Sequence, residues 1–186
     1  MTHIAVFCGA ASGTDQRFTQ AATTLGQWLA THHHTLVYGG GRFGLMGTVA
    51  TACLAAGGTV IGILPQNLFA RGVALPGIKL TITPDMATRK QQMLALSHGC
   101  IALPGGPGTL EEISSAFSWA RIGDNASPCA FYNVAGYWDP LAAMFDQMVS
   151  AGFLTATDRA KLCFSADLAT IATFMHDYTP PEIRRY

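Results

Sequence analysis

The sequence predicts an α/β fold, a doubly wound parallel sheet with helices on both faces, and three observations lead there. Short β-branched runs alternate with longer segments of helical periodicity along nearly all of the 186 residues, the pattern of repeated strand–helix crossovers. Three of the strand-like runs end in glycine-bearing turns: Cys8-Gly9, Tyr38-Gly39-Gly40-Gly41 and Pro104-Gly105-Gly106-Pro107-Gly108. No linker, internal repeat or low-complexity tract interrupts the alternation, so residues 1–186 read as a single domain large enough to bury a proper core.

The elements follow in order. HIAVFCGA (3–10) is a buried strand ending in glycine. Residues 15–30 repeat Phe18, Ala21, Ala22, Leu25 and Leu29 at helical spacing. HTLVYGGG (34–41) is the second strand, and GLMGTVATACLAAGG (44–58) is a small-residue helix stopped by Gly57 and Gly58. TVIGILP (59–65) is the third strand. Residues 66–79, with Gly72, Pro76 and Gly77, read as a loop. LTIT (80–83) is a short strand, and Pro84, at a first helical position after Thr83, opens a helix through residue 97. CIALP (100–104) is a strand, TLEEISSAFSWARIG (109–123) a helix and PCAFYNV (128–134) the last strand. WDPLAAMFDQMVSAGF (138–153) is a helix with Asp139 as cap and Pro140 in its first turn. Two short helices and a Pro-Pro tail complete the chain.

Composition narrows the function. Hydrophobic residues make up 49% and charged residues 12%, the latter about half the usual share; part of the surface is therefore expected to be covered by a second subunit. Net charge is zero with no basic stripe, which argues against a nucleic-acid partner. The five cysteines form no CxxC pair, the start carries no basic leader, and no apolar stretch reaches membrane-spanning length. A protein with reduced thiols, cytoplasmic and away from membranes, is expected. His32-His33-His34 reads as a solvated turn, and without a metal-spaced cluster elsewhere neither metal nor cofactor is expected.

Parallel sheets bind ligands beyond the carboxyl ends of their strands. Three glycine turns at that edge compose one anion pocket, with Gly9, Gly40, Gly41, Gly105, Gly106 and Gly108 as its candidates. The dinucleotide fingerprint GxGxxG is absent after the first strand, and the second ends in glycines instead of a ribose-binding acid, so NAD is not the expected ligand. The later two glycine turns each precede a helix N-terminus, which favours phosphate.

Glu111 and Glu112 stand beside this anion site in a chain with only three glutamates. Thr109-Leu110-Glu111-Glu112 reads as a capping box, which would make Glu112 structural. The preceding helix carries Arg89 and Lys90 near its N-terminus, where the helix dipole disfavours cations. Arg89 shares a face with Met86, Met93 and Leu96 at spacings of three, four and seven. An arginine there either meets a carboxylate or phosphate, or lays its stem on the core with its guanidinium in solvent.

MATRK followed by PGGPGTLEE resembles the paired motifs of the "lonely guy" proteins, nucleoside 5′-monophosphate phosphoribohydrolases that activate cytokinins and long carried a lysine decarboxylase label. VFCGAASG, LVYGGGRFGLMG, AAGGTVIGILP and NVAGYWDPL extend the resemblance over nearly the whole chain. It implies a Rossmann-like three-layer α/β/α homodimer that hydrolyses the N-glycosidic bond of AMP or N6-modified AMP to free base and ribose 5-phosphate. The catalytic pair falls on Arg89 and Glu112, and the nucleotide-binding residues fall on Lys90, Gly106, Pro107, Gly108, Thr109, Leu110 and Glu111. Ala10-Ala11 stand where family members carry serines. Arg71 stands near the place of an acid, Ser127 replaces a common lysine, and Met86-Ala87-Thr88 lacks the usual His-Glu. The alternative of another class is a carrier of molybdenum cofactor, which shares this fold. Decarboxylation of lysine needs a lysine Schiff base to pyridoxal phosphate, and Lys79, Lys90 and Lys161 lie in no recognisable setting for one.

Overall fold

The computed structural model describes residues 2–183. Among them, β1 (His3–Phe7), α1 (Gln16–Thr31), β2 (Thr35–Tyr38), α2 (Gly44–Ala55), β3 (Thr59–Pro65), α3 (Gln66–Phe69) and β4 (Lys79–Thr83) build one half. The second half holds α4 (Met86–Leu96), β5 (Gly99–Ala102), α5 (Pro107–Ala120), β6 (Cys129–Tyr132), α6 (Asp139–Ser150), α7 (Ala156–Arg159), β7 (Leu162–Ser165) and α8 (Leu168–His176). The strands form one sheet in the order β4-β3-β2-β1-β5-β6-β7, every pairing parallel. None of the described helices is long and apolar enough to cross a membrane.

Strand side chains alternate between the two faces. Ile4 and Val6 join Leu36 and Tyr38 beneath α1, α2 and α8, while Ala5 and Phe7 join Val37 and Ile63 beneath α4, α5 and α6. Burial on both sides explains why β1 and β2 read as unbroken apolar runs. The α1–α2 pair packs closely because Gly26 has no side chain; a Cβ there would run into the backbone of Val49. The direction of winding reverses between β1 and β5, where the loops after the two strands separate and leave a crevice.

Several expectations need correction. Residues 66–69 form the one-turn helix α3, too short to carry a periodic signal. β6 is not the last strand: Leu162–Ser165 adds β7 at the sheet edge, and its half-buried, polar-flanked sequence lacks the apolar run of an interior strand. Helix α4 is capped by Asp85, whose carboxylate accepts from the Thr88 N–H at 2.7 Å, so neither Thr83 nor Pro84 begins it. Trp138 caps α6, and the Asp139 carboxylate instead accepts from the Asn133 side-chain amide at 2.6 Å. Met93 is fully buried, but Met86 and Leu96, at the two ends of α4, are exposed, so the apolar face drawn through Arg89 splits.

Candidate active site

The loops after β1, β2 and β5 and the start of α5 enclose a cleft of about 460 Å³ at the switch point, within the range for small-molecule sites. Gly9, Gly41, Gly106, Pro107, Gly108 and Thr109 line one side. Phe43, Met46, Leu64, Leu68, Val73 and Met86 make an apolar wall, and Arg89 and Glu112 lie among the lining residues with Cys8. The glycine turns expected to meet at one sheet edge do so.

Helix α5 begins at Pro107 with Gly106 as its cap and no side-chain capping bond. Glu112 therefore lies in the second turn, beyond the orphan N–H groups, and the capping box is not formed. Its carboxylate meets Arg89 instead: Nη1 and Oε1 are 2.7 Å apart, and each side chain is only 8% exposed. The contact is an ion pair without hydrogen-bond alignment, since Oε1 has no hydrogen-bond partner. Arg89 is fixed from behind by its Nε donating to the Ile63 carbonyl at 3.1 Å. Gly39 makes room for the guanidinium; a Cβ at that position would collide with Arg89 Nη2. This role of Gly39 was not legible, because nothing in a run of three glycines says which one faces the arginine.

Gly40 has φ +75° and is not among the lining residues; it packs against Leu80 and Leu64, with its carbonyl accepting from the Leu75 N–H at 2.9 Å. Gly105 lines an adjoining hollow and is pressed against the Thr109 hydroxyl. Lys90, Leu110 and Glu111 do not line the cleft. Lys90 pairs with Glu111, donates to Ser115 Oγ at 3.1 Å and lies over the Trp119 ring. Of the departures noted above, Ala10 and Met86 line the cleft, Arg71 is exposed outside it, and Ser127 is buried with its hydroxyl donating to the Ser97 carbonyl at 3.0 Å.

Gly106 and Gly108 present a different kind of glycine. A Cβ at either meets no atom within 4 Å, and Gly106 has an extended backbone that any residue adopts. The fold does not require glycine at these two positions, so the open space in front of the α5 N–H groups is what their missing side chains provide. Gly106→Ala is expected to leave unfolding free energy within about 0.5 kcal/mol of wild type while raising the KM for a phosphorylated substrate about tenfold or more; denaturant titration and steady-state kinetics check both.

Burial raises the Glu112 carboxyl above the ordinary glutamate value; Arg89 pulls it part of the way back and Glu111 adds a push upward. The folded chain thus holds this proton more tightly than the unfolded one. The resulting stability is fully present below the unfolded value and is lost as pH rises through the interval up to the folded value. Glu112→Gln is expected to flatten that part of the curve of unfolding free energy against pH. Burial, reinforced by the Glu112 charge, also pushes the Cys8 thiol far up, which keeps it protonated and a poor nucleophile.

The chain's three lysines all lie off the cleft. Lys79 is exposed at the start of β4, Lys90 is paired, and Lys161 donates to Thr179 Oγ1 at 2.7 Å. No group of three or more metal-ligating side chains occurs among the described residues.

Comparison with known proteins bears on this arrangement. The family model described as possible lysine decarboxylase matches residues 46–175. The chain is 38% identical over 178 residues to the probable cytokinin riboside 5′-monophosphate phosphoribohydrolase LOGL9 of Oryza sativa subsp. japonica, covering 95% of this chain and 78% of that one. It is 38% identical over 167 residues to the cytokinin riboside 5′-monophosphate phosphoribohydrolase of Rhodococcoides fascians, covering 89% and 84%. Among solved structures, the molybdenum cofactor carrier protein of Chlamydomonas reinhardtii superposes with a TM-score of 0.71 at 22% identity, covering 95% of this chain and 99% of that one; this likeness is one of fold. With matches of that extent, the chain belongs to the "lonely guy" family of cytokinin riboside 5′-monophosphate phosphoribohydrolases.

Proposed function

We propose that the protein hydrolyses the N-glycosidic bond of AMP or of N6-modified nucleoside 5′-monophosphates, releasing the free base and ribose 5-phosphate. The observation that carries this reading is the buried Arg89–Glu112 pair beside the open N-terminus of α5. In it, the phosphate rests on the N–H groups of Gly106, Gly108 and Thr109, and the base lies against the apolar wall of Phe43, Met46 and Met86.

Cleavage passes through an oxocarbenium-like state with positive charge developing at C1′. A fixed carboxylate attracts that charge more strongly than the neutral ground-state sugar, which is what lowers the barrier. Glu112 also accepts a proton from, or orients, the attacking water. Arg89 holds the carboxylate in its rotamer and keeps part of it ionised against the cost of burial.

A carrier of molybdenum cofactor needs a phosphate site but no buried acid beside it, and the pair therefore favours chemistry over carriage. The chain is also read as a homodimer. Its low charge content and the exposed Leu96, Leu110 and Ile122 around α4 and α5 support a covered face. A cytoplasmic location and a single domain over residues 1–186 belong to the same reading.

Incubation with AMP and with its N6-isopentenyl analogue, followed by chromatography, tests the function. Adenine or isopentenyladenine should appear with one equivalent of ribose 5-phosphate. If neither nucleotide yields base, the reading fails.

A further inference from the structure

We propose that Tyr137 is a positioning residue for the phosphate grip, acting through one peptide plane. Its hydroxyl donates to the Gly105 carbonyl at 2.6 Å. In a trans peptide the carbonyl and the following N–H point in opposite directions, so holding the Gly105 carbonyl toward Tyr137 aims the Gly106 N–H the other way. Gly105 and Tyr137 line only the adjoining hollow of about 310 Å³, whereas Gly106 lines both that hollow and the cleft. Among the described residues no acceptor takes the Gly106 N–H.

A Gly-Gly peptide needs such a restraint. Neither residue carries a Cβ to restrict its backbone dihedrals; Gly105 is packed against Thr109, but Gly106 has open space around it, so at the Gly106 end the plane lacks a steric restraint of its own. The rotated plane would turn a carbonyl oxygen toward an anion.

The loop bearing Tyr137 is itself over-determined. Trp138 N–H donates to Asn133 Oδ1 at 2.7 Å, and Asn133 Nδ2 donates to Asp139 Oδ1 at 2.6 Å. Ala135, a residue with a side chain, is held at φ +56°, a conformation that persists only where surrounding contacts enforce it. Phe18 and Trp138 flank the Tyr137 ring edge-on, with centroids at 5.4 and 4.9 Å.

The proposal rests on the nucleotide reading, and its test separates the two. Tyr137→Phe keeps the ring and removes one hydrogen bond. The expected result is a KM for the nucleoside 5′-monophosphate raised about fivefold to tenfold, kcat within twofold, and a thermal midpoint lowered by no more than about 4 °C. Affinity for ribose 5-phosphate, measured by calorimetry, should fall by the same factor, and inhibition by free adenine should not change. Ribose 5-phosphate bound equally well by both proteins, or not at all by the wild type, overturns the proposal, as does a variant whose kcat and thermal midpoint fall with KM unchanged. A wild type that binds ribose 5-phosphate without releasing base from nucleotide sinks the catalytic reading alone; the calorimetric ratio then still decides the role of Tyr137.

Discussion

Glu112→Gln is expected to lower kcat for base release by a factor of about 10³ or more, with nucleotide affinity within about threefold of wild type. The substitution preserves the volume and shape of the side chain, removes its charge and replaces one acceptor oxygen by an amide donor, leaving the other oxygen to face Arg89. Two opposed effects act on the fold. The Arg89 guanidinium loses its counter-ion inside a nearly sealed site, and the cost of burying the Glu112 charge disappears. Because these partly offset one another, the variant should remain folded, and the kinetic loss will report on chemistry. Steady-state turnover and equilibrium binding of AMP measure the two quantities separately. A variant that turns over at the native rate would make Glu112 a structural partner of Arg89 and nothing more.

Arg89→Ala has the second large effect, and it acts on fold and function together. It strands the buried Glu112 carboxylate with no cation within contact, frees the Ile63 carbonyl from its donor and leaves space in front of Gly39. Breaking a buried pair from one side costs about 3–5 kcal/mol; protonation of Glu112 recovers part of this because its carboxyl is already raised. A neutral acid no longer attracts the positive charge at C1′, so turnover should fall by about 10² or more, with the loss greatest at neutral pH. Arg89→Lys, which keeps the charge without the planar fork, should retain more stability than activity. Chemical denaturation and a pH–rate profile distinguish these contributions.

Much of the fold was legible because its signals are periodic. The apolar runs of β1, β2 and β3 and the helical spacing in α1 each point to one packing solution, and the alternation of elements leaves only a parallel sheet. What escaped was short or set by tertiary contact. α3 and β7 are four residues each, below the length at which a period declares itself. The start of α4 went to Asp85 because its carboxylate reaches the Thr88 N–H, a competition with Thr83 and Pro84 that spacing does not settle.

The site divides in the same way. Arg89 stood out as a cation at the wrong end of a helix, and its choice between solvent and carboxylate falls to the carboxylate. Glu112 was ambiguous because a capping box and a second-turn acid look alike until the helix start is known. Placing that start at Pro107 removes the capping role. Gly39, Phe43 and Leu68 were not singled out. Gly39 is defined by a clash with a residue fifty positions away, and the other two by a wall assembled from separate loops.

The most direct test is a crystal structure of the Glu112→Gln protein with AMP. The account places the phosphate within hydrogen-bond reach of the Gly106, Gly108 and Thr109 N–H groups. It also places the side chain at position 112 about 3–4 Å from the anomeric carbon, near-attack distance. A phosphate bound elsewhere, or an anomeric carbon out of reach of residue 112, would contradict it.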